Sequence, residues 1–188
     1  MKTSNSITLA LASLMLTLPS HHVVASELDA HEHGSASLDI AIDTNTIEMK
    51  FESPAVNIVG FEYATEDEQQ LLLIKQAKKN LSNFDAIFQL AGDVSCQTVQ
   101  ASANWVTEHE EGHEEGHEGH DDAPASEHAE FIAEYKLECI EVNNLTAINV
   151  NLFEFFPGIA DLDVQVIYAG GQLKQELDIS NTLIKLTN

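Results

Sequence analysis

The chain has 188 residues, a formal net charge of −23 and no arginine. Without guanidinium forks to hold phosphates, and with so large an acid excess, nucleic acid is excluded as a partner. The same excess favours cations as ligands, and the length left after an export signal suits one domain with a single core.

Met1-Lys2-Thr3 precedes an apolar run from Ile7 to Leu18, then Pro19 and a small-residue stretch ending Val23-Val24-Ala25. This pattern predicts a secretory signal peptide over residues 1–25, with a mature single domain from Ser26 onward. The run is shorter than the roughly 18 apolar residues that a spanning helix needs, so the expected location is the periplasm. Export also sets the chemistry of the two cysteines, Cys96 and Cys139. A disulfide between them is expected, the alternative being two free or metal-bound thiols. Closing a loop of that length stabilises the fold by on the order of 4 kcal/mol in the chain-entropy treatment.

Ala36, Leu38, Ile40 and Ile42 alternate with small or polar residues, as do Ile47, Met49 and Phe51, and Asp43-Thr44-Asn45 lies between the two runs. The period of two on both sides of a turn predicts a hairpin. Thr65 followed by Glu66, Asp67 and Glu68 reads as a capping box, and Leu71, Ile74, Ala77, Lys78 and Leu81 follow at helical spacing. One amphipathic helix is predicted over 66–81, with lysines in its last turns suiting the helix dipole. Phe84, Ile87 and Phe88 read as a short helical turn, followed by a strand from Val94 to Gln100 that carries Cys96. A second cysteine strand runs from Phe131 to Cys139 and is expected to pair with the first. A meander of Ala147–Leu152, Leu162–Tyr168 and Leu173–Ile179 completes the pattern, its last two strands joined at Ala169-Gly170-Gly171-Gln172. The predicted fold is α+β: a largely antiparallel sheet or sandwich packed by one main helix, with a long disordered loop over about 106–127.

That loop contains HEEGHEEGHEGH at residues 109–120. Frequent glycine opposes a stable helix, and the segment offers no apolar residue to pack. Neutral imidazole is a good ligand for Zn(II), Cu(II) and Ni(II), and nearby carboxylates complete or orient such a shell. His109, His113, His117 and His120 are therefore candidate metal ligands. Two bland readings compete, a solvated linker and a pH-sensing loop. His109-Glu110-Glu111-Gly112-His113 also matches the His-Glu-x-x-His pattern of zinc peptidases, but that chemistry requires both histidines on one face of a rigid helix. Here the match follows from repetition, so no enzyme activity is expected. A second, folded site is predicted from His31 and His33 near the mature N-terminus with His128, completed by a carboxylate such as Glu62 or Glu130. The competing reading of His31 and His33 is a plain polar tail.

Three segments carry a further resemblance: His31-Glu32-His33-Gly34, the stretch Glu52-Ser53-Pro54-Ala55-Val56-Asn57-Ile58-Val59-Gly60-Phe61-Glu62, and Leu152-Phe153-Glu154-Phe155-Phe156-Pro157-Gly158 followed by Leu162-Asp163-Val164-Gln165. Together with cysteines on either side of a histidine-rich insert, and Ala133-Glu134-Tyr135 before the second, they resemble the ZrgA-like periplasmic zinc-binding proteins of bacterial zinc uptake. The resemblance implies zinc capture by loop and folded domain, and delivery to an ABC-type permease in the inner membrane. Two positions depart from it, Tyr63 and Ile132, where relatives tend to have histidine. The alternatives in other classes are a zinc, copper or nickel buffer without a transporter partner, and a zinc hydrolase. The oligomeric state is left open.

Overall fold

A computed structural model describes residues 33–108 and 128–186. The segment expected to be a signal peptide, His31 and the histidine-rich run at 109–127 lie outside the described residues. Strands β1 (Ser35–Asp43) and β2 (Thr46–Pro54) form the expected hairpin, with Asp43 opposite Thr46 across the turn. Helix α1 (Ala55–Val59) follows at once and ends at Gly60, whose φ of 84° is the left-handed conformation that glycine adopts without strain. Helices α2 (Glu68–Leu81) and α3 (Phe84–Ile87) lead into the short strand β3 (Phe88–Gly92). The cysteine strands are β4 (Ser95–Glu108) and β5 (His128–Ile140). They are followed by β6 (Leu145–Val150), α4 (Leu152–Phe155), β7 (Asp161–Tyr168), β8 (Gly171–Asp178) and β9 (Leu183–Lys185).

Two sheets result, one of six strands in the order β4-β5-β2-β1-β7-β8 and one of three in the order β3-β6-β9. Period-two patterning decides which faces meet. Leu38 and Ile40, Ile47 and Phe51, Phe131 and Leu137, and Leu162 and Val164 all point inward, and with Phe88, Ile148 and Ile184 of the small sheet they form one core. The alternate residues of the large sheet, such as Asp39, Glu48, Lys50 and Glu134, face water. The sheet thus has the one wet face that antiparallel strands permit.

Three expectations need correction. The meander holds only in its last hairpin, β7 paired antiparallel with β8: β6 instead pairs with β3 and β9, while β7 enters the large sheet beside β1, and that pairing is parallel. Strand patterning fixes the inward face but not the partner, and a parallel neighbour reached through a long crossover leaves no local signal. The helix cap is Asp67, not Thr65. Its carboxylate accepts from the backbone N–H groups of Gln69 at 2.9 Å and Gln70 at 3.0 Å, while the Thr65 hydroxyl accepts from Asp67 N at 3.1 Å. The helix starts two residues late because the carboxylate at 67 satisfies two of the orphan donors of its first turn. The first cysteine strand also runs on to Glu108, beyond the expected Gln100, across a bulge between Thr98 and Gln100.

The disulfide reading holds. Cys96 lies directly opposite Cys139 in the β4–β5 ladder and the two are bonded, so neither thiol is a metal ligand. The α2 C-terminus is fixed to the sheet by Tyr135, whose buried hydroxyl donates to the Leu81 carbonyl at 2.7 Å between the edges of Phe84 and Phe88. Burial pushes this phenol above its ordinary value. Tyr135→Phe is therefore expected to cost about 1–2 kcal/mol in urea unfolding, since a helix-end carbonyl loses its partner. The folded phenol stays protonated where an unfolded one ionises, so the difference from wild type is complete below the ordinary tyrosine value and shrinks as pH rises above it.

Candidate functional site

Three segments that are remote in sequence converge at one end of the large sheet. The first is the turn at His33-Gly34, which precedes β1. Gly34 takes a φ of 95°, its N–H donates to Asn57 Oδ1 at 2.8 Å, and its carbonyl accepts from Ala160 N at 2.7 Å. The second is the stretch after α1, where Gly60 turns the chain so that Phe61 is buried and Glu62 emerges. The third is the start of β5 at His128. The Glu62 carbonyl accepts from Ala129 N at 2.9 Å, and this bond ties the second segment to the third.

One carboxylate oxygen joins the three. Glu62 Oε1 lies 3.0 Å from His128 Nδ1 and 3.5 Å from His33 Nε2. The side chains are 20% exposed for Glu62, 41% for His128 and 65% for His33, so a solute ion reaches all three without opening the fold. Beneath them Phe61 contacts Trp105 with ring centroids 5.8 Å apart, and Trp105 meets Phe131 edge-on at 5.3 Å. This apolar floor holds the Glu62 backbone in place and leaves its carboxylate at a rim where the dielectric is lower than in bulk water.

Of the predicted folded-site residues, His33, Glu62 and His128 are brought together. Glu130 lies two residues along β5 from His128 on the same outward face and is half-buried, level with Pro54 of β2 and Val106 of β4. His31, His109, His113, His117 and His120 lie outside the described residues. The run that carries the last four leaves from Glu108 and returns at His128, residues paired with each other across β4 and β5. Its two ends therefore meet at the cluster. Tyr63, a position of departure, is exposed, and its hydroxyl accepts from Gln70 Nε2 at 2.9 Å. Ile132, the other, stands next along the outward row of His128 and Glu130.

No group of three or more His, Cys, Asp or Glu among the described residues is arranged as a finished metal cage. The distances explain this: 3.0 and 3.5 Å are hydrogen-bond and ion-pair spacings, whereas zinc sits about 2.0–2.2 Å from nitrogen and oxygen ligands. Glu62 occupies the space between the two rings.

Sequence reasoning missed Asn57, which organises this end of the molecule. Its side chain is buried, accepts from Gly34 N, and donates to Ser35 O at 2.9 Å and Ser53 Oγ at 3.2 Å. Gly158 packs against its backbone so closely that an added Cβ would lie 2.3 Å from Asn57 O. The signal was an asparagine four residues after Ser53 in a segment with no other reason to be polar.

The class so defined is a two-sheet α+β protein with a carboxylate-linked histidine pair at the base of a histidine-rich insert. The family model of the ZrgA family zinc uptake proteins matches residues 30–186, and the chain belongs to that family. Comparison with curated proteins finds no match. Among the described residues, no helix is long and apolar enough to cross a membrane.

If the cluster serves binding and Asn57 serves architecture, stability separates them. Asn57→Ala is expected to cost about 1–3 kcal/mol in urea unfolding, because Gly34 N and Ser35 O lose buried partners. Glu62→Ala and His128→Ala in metal-free protein should each stay within about 1 kcal/mol of wild type, as partly exposed ion pairs do. A loss for Glu62→Ala as large as that for Asn57→Ala would make the cluster a structural clasp.

Proposed function

We propose that this protein captures Zn(II) in the periplasm and passes it to an ABC-type uptake system, acting as a binding protein and not as an enzyme. The observation that carries the reading is the sharing of Glu62 Oε1 by His33 and His128, in a chain of a zinc uptake family. Two imidazoles and a carboxylate suit zinc's preference for nitrogen and oxygen donors, with His31 or water as the fourth ligand. The set also accepts Cu(II) or Ni(II), so the choice of zinc rests on the family.

The histidine-rich run contributes a second kind of site. His109, His113, His117 and His120 offer several interchangeable ligand sets and raise the local concentration of metal beside the folded cluster. Unloading follows from the same chemistry, because acidification protonates imidazole in competition with metal. Both glutamates of the repeated His-Glu-x-x-His pattern act here as carboxylate donors or solvating groups, without a peptidase role.

Calorimetric zinc titrations at fixed pH test the two kinds of site. A variant lacking residues 109–120 is expected to lose the weaker, multiple sites and keep one tighter site. His33→Ala/Glu62→Ala/His128→Ala should lower affinity at the tighter site by at least about tenfold, the scale of one lost ligand interaction. If the deletion abolishes all zinc binding, the folded site is wrong. Delivery is tested separately, by zinc-dependent association with permease-containing vesicles. Binding that gives no association would leave a buffer in place of a delivery protein.

A further inference from the structure

Helix α2 is seated by a narrow stripe. Ala77 and Leu81 are buried, and Gln70 and Ile74 are half-buried, which by the 3.6-residue period is one side of the helix. The sequence pattern suggested that Leu71 would join that stripe, yet Leu71, Leu72 and Leu73 are 47%, 64% and 52% exposed. Leu72 points directly away from the core. On the same outward stripe stand Glu68, one turn before it, and Lys75 and Lys79, one and two turns after it, all exposed.

We infer that this stripe is a self-association surface, on which a second copy of the chain docks through antiparallel pairing of α2 with α2. The argument is charge order. The acid precedes the leucines and the bases follow them, so reversal by a two-fold axis sets unlike charges opposite each other. At about 1.5 Å per residue, a pairing centred on Leu72 places Glu68 of one copy about 6 Å from the centre. Lys75 and Lys79 of the second copy then lie about 4.5 and 10.5 Å from it on the same side, so each Glu68 falls between two lysines. Leu72 of each copy meets Leu72 of the other across the axis, as an isologous contact requires, and Leu71 and Leu73, about 100° to either side of it, flank the contact.

Global charge bears on the choice of occupant. At −23 the chain repels a second copy, and only local attraction brings two together. Three of its eight basic residues, Lys75, Lys78 and Lys79, are on this one helix. At about 0.15 M salt, charges act over about 8 Å, which confines the balance to the contact itself. One helix face is a small interface, so the dimer forms and dissociates with concentration.

Sedimentation velocity on the full mature chain without metal tests this, with circular dichroism confirming helix content in every variant. Wild type is expected to shift from monomer towards dimer mass across the micromolar range, and Leu72→Glu to stay monomeric. Glu68→Lys, which makes the stripe all basic, and Lys75→Glu/Lys79→Glu, which makes it all acidic, should each be monomeric alone and form a heterodimer when mixed. A wild type that stays monomeric throughout overturns the proposal, including where α2 is covered by another part of the chain or binds a different partner. A Leu72→Glu variant that dimerises like wild type, or a mixture that gives no heterodimer, overturns it as well.

Discussion

The side-chain amide of Asn57 is the joint on which the site depends. A buried amide must find partners for both its ends, and here they are the backbone at Gly34 and Ser35 and the hydroxyl of Ser53. Those partners belong to the start of β1 and the end of β2, strands that already pair along their length. The amide therefore adds little to sheet formation. Its effect is to fix the turn that carries His33 at the entry to β1. Gly158 meets the same residue from the other side, so the segment after α4 is pressed against α1 and leads β7 into place beside β1. The three segments that carry the family resemblance are thus parts of one joint, and each contributes a contact that the other two require.

The second constraint is the β4–β5 ladder, tied at one end by the disulfide and open at the other toward the histidine-rich run. Between the tie and His128 the ladder is continuous except for one bulge, and Trp105 and Phe131 pack edge-on within it. Whatever the run does in solution, its ends are delivered to fixed points. A rigid ladder under an acidic, glycine-rich insert separates the entropy of the insert from the stability of the core. Long insertions at such a place cost the fold little, because closure entropy grows only slowly with length.

The sequence was most legible where physics is local. Alternation in Ala36–Phe51 and the turn within it gave the first hairpin, and the lone pair of cysteines, read in a chain expected to be exported, gave the disulfide. His33 and His128 were readable as candidate ligands together with His31, and Glu62 as one of two carboxylates that could complete them. Legibility ended with long-range choice. Nothing in Leu162–Tyr168 states that its neighbour is a parallel β1, and nothing in Ala147–Leu152 states that it leaves the large sheet. Leu71 failed for a related reason, since helical spacing groups residues on a face but does not say which face finds a partner. Asn57 left only a faint signal, a polar residue in an apolar stretch, because its partners at Gly34, Ser35 and Ser53 become visible only once the chain is folded.

The two departures from the family pattern gain meaning from their positions. Ile132 continues the outward row begun by His128 and Glu130, and Tyr63 directly follows Glu62. Histidines there would extend two of the three segments that already meet at the cluster, those of Glu62 and of His128. Isoleucine and tyrosine remove two imidazoles without disturbing the scaffold: Ile132 is half-buried among neighbours on β2 and β4, and the Tyr63 hydroxyl is satisfied by Gln70. With those ligands absent, the remaining protein donors at this end are Glu62, the flanking histidines and the carboxylate of Glu130. In the proposed reading, a folded site of so few donors draws on the histidine-rich run, which returns to the ladder at His128. The proposed site is thus an open cluster beside the histidine-rich run and not a closed cage, and an open ligand set gives up its ion without unfolding.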